Sequence, residues 1–439
     1  MVEVEESWVI LILQRLVSGN SQVGRLNHMT MKGNHKETHY NADLTLDPEQ
    51  GLLHVNAELL CPPFGEQCNN LEFYLHKSMG IKNITGSVPI TYQFDVEQPC
   101  SFPFTPDAGT LKIKFAQPVE DDKLLRLWFE YEGNIGITSW EVNRVTPGWV
   151  ELGMYAPWFP YSPELEHFCY DVLVHIGHNY EVVGLGQVEQ LGEGLWHISQ
   201  KQPSIDMVVM ASNRFCKLSG AESGLSVELD YVDVAKWVAE DVFKKGLQAL
   251  KWYSEWFGVT SSGDMRIVIT PRTEGGGYAR TGFVVLPHID TEAYTGQKIS
   301  YFSNLAHECA HLWWANAPVN SWEDWLNESF AEYSALMAVR ELFGTAHFES
   351  ILAKKLEHSE GMPPIRGVKR DDEKAFTVLY DKGCLMLYEL EQMVGRKEFI
   401  ELLRKTFQQK VSSTEQFLEL VGAEVCNEAK TELNRLLSS

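Results

Sequence analysis

The stretch His307-Glu308-Cys309-Ala310-His311 decides the fold and the chemistry expected of this chain, and Asn327-Glu328 follows it closely. On a helix, residues four positions apart lie on one face, about 40° from each other, so the two imidazoles can share one ion. Glu308 lies about 60–100° from them, beside that ion, where a base for a bound water molecule is needed. The pattern therefore predicts one zinc ion held on a helix.

The third zinc ligand has to come from another part of the chain. Glu328, on the next predicted helix, is the leading candidate, and Glu332, one turn further along, competes with it. Two neutral imidazoles and one carboxylate leave a fourth position open, which is typical of catalytic zinc. Zinc in such a site lowers the pKa of bound water to about 7, and Glu308 is predicted to take the proton as the water attacks a carbonyl.

The other interpretation of the motif is a helix with two surface histidines and an unrelated acid. Within the motif, Cys309 points about 160–200° away from the histidines. It is predicted to be a packed core thiol and not a ligand.

Longer segments resemble a known family. The runs His307 to Asn316 and Trp325 to Tyr333 are similar to the gluzincin family of aminopeptidase N and leukotriene A hydrolase. Tyr380-Asp381-Lys382-Gly383 resembles that family's Tyr-Glu-Lys-Gly segment, whose tyrosine hydrogen-bonds the tetrahedral oxyanion. Ala156-Pro157-Trp158-Phe159-Pro160 resembles the part of the family's N-terminal domain that reaches the active site.

The resemblance implies a zinc metallopeptidase with one zinc ion per chain. It assigns the metal ligands to His307, His311 and Glu328, the base and proton shuttle to Glu308, and the oxyanion donor to Tyr380. A neutral phenol suits the last task, because a single such donor contributes about 2.7–4 kcal/mol to catalysis. The alternative for Tyr380 is a helix-packing aromatic.

The chain departs from the family pattern in three places. Glu328 lies two residues closer to the second histidine than in the family, and a shortened loop through Pro318-Val319-Asn320 is expected to absorb the difference. The family's substrate strand reads Gly-x-Met-Glu-Asn, whereas this chain has Gly276-Gly277-Tyr278-Ala279-Arg280, so Ala279 replaces the carboxylate that grips a peptide's amino terminus. The large helical superstructure that caps many members is also expected to be absent, which leaves the cleft more open.

Another acidic residue is therefore predicted to replace that carboxylate among the substrate-binding residues. Gly276, Gly277 and Tyr278 are expected to align an extended substrate, because glycine lets backbone approach closely. Glu151 is the preferred amine anchor, with a plain surface acid as the alternative and Glu274 as a second candidate. Arg280 could draw a carboxylate if it faced the cleft, although a solvated arginine is the preferred interpretation.

The periodicity of the chain predicts an α+β protein of two domains. Residues 1–228 are expected to form an antiparallel, saddle-like β domain, with alternating strands such as Leu71–Leu75, Thr110–Phe115 and Tyr170–Ile176. Residues 229–439 are expected to form a thermolysin-like catalytic domain that is mostly helical with a small sheet. Its predicted elements are helices at Val232–Phe257, from about Ser300 to before Pro318 and from about Glu323 to Phe343, and strands at Met265–Thr270 and Phe283–Leu286.

Composition limits the partners and the location. The formal net charge of −23 argues against nucleic acid and anionic membranes, which would both repel the surface. The longest apolar run, Trp8–Leu13, is too short to span a bilayer, and the N-terminus is expected to be an amphipathic lead-in and not a signal peptide. Eight scattered cysteines without a Cys-x-x-Cys pair favour a cytoplasmic location. No oligomeric state is predicted.

The function predicted from these features is a zinc metallopeptidase acting on peptides, and the preferred form is an aminopeptidase. A zinc endopeptidase, or a hydrolase of another small substrate, is the alternative among enzymes. A non-catalytic binding scaffold with a peptidase fold is the alternative from another class.

Overall fold

We describe the protein from a computed structural model. It describes residues 37–62, 68–98, 100, 102, 104–120, 122–136, 138, 142–165, 167–260 and 263–439. The expected amphipathic lead-in at the N-terminus lies outside the described residues.

The first half of the described chain consists of strands. Buried and less buried side chains alternate along them, as in β1, because one face of each sheet packs on the core. The strands are β1 Thr38–Asp47, β2 Leu52–Cys61, β3 Cys68–His76, β4 Gly80–Gly86, β5 Ile90–Asp95, β6 Ala108–Val119, β7 Leu125–Asn134, β8 Arg144–Thr146, β9 Trp149–Leu152, β10 Phe168–His175, β11 Glu181–Gly184, β12 Gln187–Gly192, β13 Leu195–Ser204 and β14 Val209–Ser212, with a 3-10 turn at Pro163–Leu165.

These strands form three sheets. The largest has the order β12-β13-β10-β1-β2-β7-β4, a second has the order β11-β14-β9-β8, and a third has the order β3-β6-β5. Neighbouring strands pair antiparallel, as predicted, except that β1 runs parallel to β10. The four-stranded sheet matters most for the site, because β9 carries Glu151.

The second half has one sheet covered by helices. Its strands are β15 Cys216–Glu222, β16 Leu225–Tyr231, β17 Asp264–Ile269, β18 Tyr278–Arg280 and β19 Phe283–Leu286, in the order β15-β16-β17-β19-β18. The helices are α1 Lys236–Phe257, α2 Lys298–Ala310, α3 Trp325–Phe343, α4 Thr345–Ser359, α5 Gly383–Val394, α6 Arg396–Gln408, α7 Thr414–Glu424 and α8 Asn427–Leu437, with a 3-10 turn at Trp322–Asp324 and a π-helix at Thr377–Lys382.

The α+β fold class is confirmed, with strands followed by helices around a small sheet. The predicted elements of the second half lie within a few residues of the observed ones. The first helix begins at Lys236 instead of Val232, because Asp233 has a positive φ of 55° and Ala235 is extended. Every helix within the described ranges is too short or too polar to cross a lipid bilayer.

The division between residues 228 and 229 remains a prediction. It falls inside β16, which pairs parallel with β17 and antiparallel with β15. We therefore propose that the catalytic part begins at Cys216, where its sheet begins.

The two halves share a cluster of buried apolar side chains. Trp149 and Met210 of the four-stranded sheet pack there with Val268, Tyr278 and Val285 of the catalytic sheet. This packing fixes β9 against β18, and it therefore fixes the glycine-rich loop before β18 relative to the β half.

Arg280 takes part in the same junction, and the prediction of a solvated arginine is wrong. Its side chain is only 7% exposed, and its Nε and Nη2 donate to Oδ2 of Asp206 at 2.9 and 2.7 Å. The other oxygen of Asp206 accepts hydrogen bonds from the backbone N–H groups of Met154 and Met207. Because Asp206 belongs to the β half, this buried ion pair connects the two halves.

We expect Asp206→Ala to lower the free energy of unfolding by about 3–5 kcal/mol, because it leaves the Arg280 guanidinium buried without its counter-charge. Urea unfolding followed by tryptophan fluorescence measures the loss. Glu401→Ala is the control, since Glu401 pairs with Arg404 on an exposed helix surface and its loss costs at most about 1 kcal/mol. Equal unfolding free energies for the two variants would contradict a stabilising role of the buried pair.

Candidate metal centre

Three side-chain atoms converge where helices α2 and α3 pack together. Nε2 of His307 lies 3.2 Å from Nε2 of His311, and Oε2 of Glu328 lies 3.4 Å from each of them. Three ligand atoms placed tetrahedrally at 2.0–2.2 Å around one zinc ion lie about 3.4 Å apart. The spacing therefore suits a single zinc ion.

The opposite ring nitrogen of each histidine is already bonded. Nδ1 of His307 lies 2.8 Å from Oε2 of Glu332, and Nδ1 of His311 lies 2.9 Å from the carbonyl oxygen of Trp314. Both partners are acceptors, so each Nδ1 carries the proton and each Nε2 presents a lone pair to the centre. Glu328 thus belongs to the converging group, whereas Glu332 orients a histidine.

The electrostatics of the group favour a cation. Burial opposes a charge on His307, but Glu328 and Glu332 outweigh it and raise the pKa of His307 well above its ordinary value. Burial likewise opposes ionisation of Glu328, yet His311 and His307 hold the pKa of that carboxyl far below its usual range. Oε2 of Glu328 is buried and finds no hydrogen-bond donor in the part of the chain that is described. A metal ion among the three atoms would satisfy all of them.

The loop between the second histidine and Glu328 is held by Asn327. Its Nδ2 donates to the carbonyl oxygen of Ala317 at 3.0 Å and to Oδ1 of Asp324 at 2.8 Å, and its Oδ1 accepts from the N–H of Ala317 at 3.1 Å. These bonds pin the short loop against the first turn of α3. The shortened spacing therefore still delivers Glu328 to the histidines.

Glu308 lies against the glycine-rich loop. It is buried, and a methyl group placed on Gly277 would come within 2.5 Å of its Oε1. Burial raises the pKa of Glu308, while His307 and His311 lower it. Cys309, by contrast, is fully buried in the apolar core, as expected for a packed thiol.

Tyr380 covers the metal group. Its ring stacks on His307, with centroids 5.7 Å apart and planes at 13°, and on Phe376 at 4.2 Å. Burial raises the pKa of Tyr380 well above its ordinary value, and nearby Glu328 adds to the shift, so the phenol keeps its proton. Nη2 of Arg370 lies 3.5 Å from the phenol oxygen.

The residues beside Tyr380 bring the π-helix onto α3. The hydroxyl of Ser329 donates to the carbonyl oxygen of Leu379 at 2.5 Å, and any side chain on Gly383 would collide with Ser329. Lys382 donates to the carbonyl oxygens of Met362 and Pro363 at 3.2 and 2.9 Å. The glycine and the lysine of the Tyr-Asp-Lys-Gly segment thus fix the place of its tyrosine.

Glu151 is fully buried, so the alternative of a plain surface acid is wrong. Its Oε1 accepts from the phenol of Tyr278 at 3.3 Å and lies 3.4 Å from Nε of Arg272, which is also fully buried. Burial raises the pKa of Glu151 to about 7, against the opposing effect of Arg272. Glu274 is exposed, and only its backbone oxygen meets Arg272.

Two cavities adjoin these groups. One of about 290 Å³ lies beside the glycine loop and is lined by Val142, Tyr155 and residues 275–278. The other, of about 650 Å³, lies between the halves, with Tyr74 and Phe102 on one side and Trp322 and Arg370 on the other. Since Arg370 is also 3.9 Å from Oε1 of Glu328, this cleft adjoins the metal group.

Residues 241–438 match the family model of the Peptidase family M1 domain. These residues are similar to the domains of M1 peptidases. They include the three converging ligands, Glu308 and Tyr380. The sequence resemblance to the aminopeptidase N and leukotriene A hydrolase family is thereby confirmed.

Curated relatives of the M1 domain are aminopeptidases by name. Leucine aminopeptidase 2 from Aspergillus niger is 26% identical over 236 residues, 49% of this chain and 37% of that protein. Leucine aminopeptidase 2-1 from Meyerozyma guilliermondii is 34% identical over 135 residues, 26% of this chain and 22% of that protein. The chain therefore spans well under half the length of these curated relatives.

Solved structures share the whole architecture. The M1 zinc metallopeptidase from Deinococcus radiodurans superposes with a TM-score of 0.68 at 16% identity, covering 91% of this chain and 93% of that one. A variant from the same organism, bound to a Tyr-Ser-Ala substrate, gives a TM-score of 0.67 at 17% identity over 92% and 94% of the two chains. At these identities the likeness establishes the fold.

Three cations near the converging group have no counterpart in the motifs, and two of them, Arg272 and Lys355, are buried. Arg370 donates to Oδ2 of Asp324 at 2.8 Å, Arg272 pairs with Glu151, and Lys355 pairs with Glu332. For Lys355 alone a signal existed, because it continues the apolar stripe of Phe348 and Leu352 along α4. Arg272 and Arg370 lie outside the regular helices, where no periodicity marks burial.

Gly277→Ala is expected to lower kcat about 100-fold, because the added methyl group must displace the Glu308 carboxylate or the loop. Zinc content should stay unchanged, since His307, His311 and Glu328 are untouched. Steady-state peptide hydrolysis and metal analysis measure both.

Gly276→Ala is the matched comparison, because a methyl group there meets nothing within 4 Å. Its effect should be confined to KM. A similar fall in kcat for both variants would show that the loop does not act through Glu308.

Proposed function

We propose that this protein is a zinc metallopeptidase that removes residues from the amino terminus of peptides. The observation that carries the proposal is the convergence of two Nε2 atoms and one carboxylate oxygen at 3.2–3.4 Å, with Glu308 and Tyr380 on either side. The M1 domain match and the aminopeptidase names of the relatives support it.

The zinc ligands in this proposal are His307, His311 and Glu328. When bound there, zinc supplies a Lewis acid that polarises the substrate carbonyl and acidifies water. Glu332 and the Trp314 carbonyl hold the imidazole rings in the tautomer that presents Nε2.

Glu308 is the base in the proposed reaction. Its carboxylate takes the proton of the attacking water and returns it to the nitrogen of the leaving peptide. Contact with Gly277 keeps the carboxylate in place, and the backbone of Gly276 and Gly277 aligns the substrate beside it. Tyr380 donates its phenol hydrogen to the developing oxyanion, and the rings of His307 and Phe376 limit its movement.

Glu151 is the proposed anchor for the substrate's amino group. Its Oε2 is buried and has no hydrogen-bond partner among the described residues, and its Oε1 meets Tyr278 next to the glycine loop. A buried carboxylate oxygen with no donor is suited to an ammonium group. Arg272 offsets part of the charge of Glu151. The preference for peptides with a free amino terminus should therefore be weaker than in a protein that also has a carboxylate at position 279.

The location and the partners remain predictions from the sequence. Scattered cysteines favour the cytoplasm, and a peptide is the expected partner. An endopeptidase, another small-substrate hydrolase and a non-catalytic scaffold are the alternatives that the following experiments separate.

Glu308→Gln should lower kcat by about 10²–10⁴-fold, because the amide cannot accept the proton. The variant should still bind one zinc ion per chain, measured by metal analysis beside peptide hydrolysis. Glu357→Gln, on an exposed face of α4, is the control and should behave as the unaltered protein. Full zinc content without hydrolysis of any peptide by the unaltered protein would favour the scaffold.

Glu151→Gln should raise KM for peptides with a free amino terminus by about 10–100-fold, because the charge-assisted bond to the ammonium is lost. The same peptides with acetylated amino termini should be unaffected. A paired panel of free and acetylated peptides measures the difference. An unchanged preference in the variant would exclude Glu151 as the anchor, and equal cleavage of both sets by the unaltered protein would exclude aminopeptidase activity.

A further inference from the structure

A buried lysine lies behind the metal ligands. Lys355 on α4 is 7% exposed, whereas the adjacent Lys354 is exposed. Its Nζ lies 2.6 Å from Oε1 of Glu332 on α3 and 2.6 Å from Oδ1 of Asp381 on the π-helix. One ammonium group therefore bridges two elements of the active site.

Each of its partners leads to a group of the active site. The other oxygen of Glu332 lies 2.8 Å from Nδ1 of His307. Asp381 directly follows Tyr380 in the π-helix, and its Oδ2 lies 3.2 Å from Nδ1 of His358, whose side chain is 62% exposed. A continuous line of polar side chains thus runs from His307 to the surface.

We propose that Lys355 is a positioning residue that fixes the metal ligand His307 and the oxyanion donor Tyr380 together. The inference rests on the proposed function, because it assigns Lys355 to the same site. Lys355 touches neither substrate nor metal, so it acts through Glu332 and Asp381.

The physical reason is the charge of the two carboxylates. Glu332 and Asp381 are both buried or nearly so, and both aim an oxygen at the same point. Without a cation at that point they repel each other and separate. Glu332 then no longer orients the ring of His307, and of the two contacts from Asp381 to α4 only the one with His358 remains. Outer-shell partners of this kind change metal affinity by about 10–100-fold.

The two arms of the bridge can be separated by isosteric variants. Glu332→Gln weakens the hold on His307 and should mainly raise the zinc dissociation constant. Asp381→Asn weakens the hold on the π-helix and should lower kcat with an unchanged zinc dissociation constant. Lys355→Met removes both arms, so it should raise the zinc dissociation constant about 10–100-fold and also lower kcat at saturating zinc.

Two controls match the changes. Lys354→Met removes the same charge from the exposed side of the same helix. Arg340→Met removes a cation of α3, whose Nη2 lies 2.9 Å from Oε1 of Glu391 on α5. Both controls should leave the zinc dissociation constant unchanged.

The experiment uses the full chain, competition with a chromogenic chelator for zinc, and steady-state hydrolysis of a free-amino peptide. A Lys355→Met protein that equals Lys354→Met in both measurements overturns the proposal, as does an equal loss of zinc affinity in Arg340→Met. If Lys355→Met does not fold, the other two variants decide. The proposal is overturned when Glu332→Gln leaves the zinc dissociation constant unchanged and Asp381→Asn leaves kcat unchanged. Failure of the proposed function can be told apart from failure of this proposal. If the unaltered protein hydrolyses no peptide, the proposed function fails, while the zinc dissociation constants of the variants still test the role of Lys355.

Discussion

Three potential metal-ligand atoms meet in a buried site, and this convergence constrains how the helices of the catalytic half pack. Two imidazole nitrogens and one carboxylate oxygen, all within 3.4 Å, are favourable neighbours only around a cation. The protein holds them by bonds on their far sides, from Glu332 to His307 and from the Trp314 carbonyl to His311. Helices α2 and α3 must therefore pack in one register, and the large apolar core around them supplies that rigidity.

Close approach of backbone is the second constraint, and it explains where glycine is required. Gly277 lets the substrate loop touch Glu308, and Gly383 lets the π-helix touch Ser329 beside Glu328. Both glycines lack the positive φ that would otherwise call for glycine, so steric space is the reason for them. Glu308 and Tyr380 are thus both placed by contacts that a single methyl group would disturb.

The convergence of His307 and His311 could be predicted from the sequence, because a helix of fixed period turns their spacing into geometry. The α+β class and most helices followed from periodicity for the same reason. Apart from Lys355, the buried cations and their partners could not be predicted. The sequence favours a solvated Arg280 and leaves a surface acid open for Glu151, yet each is buried against a partner more than 70 residues away. Such pairs depend on how sheets from the two halves meet, which no local pattern contains.

The chemical step and the selection of substrate draw on different parts of the molecule. The ligands, Glu308 and Tyr380 lie on the helices and loops of one domain, where they keep each other's orientation. The groups next to the glycine loop come from both halves, with Glu151 and Asp206 from the β half, Arg280 from strand β18 and Arg272 from the loop before that strand. In the proposed function, Ala279 at this junction leaves less negative charge for a peptide's amino terminus, and His307, His311 and Glu328 keep their places. In the proposed mechanism, the residues that recognise the substrate meet the hydrolytic group where Gly277 touches the Glu308 carboxylate.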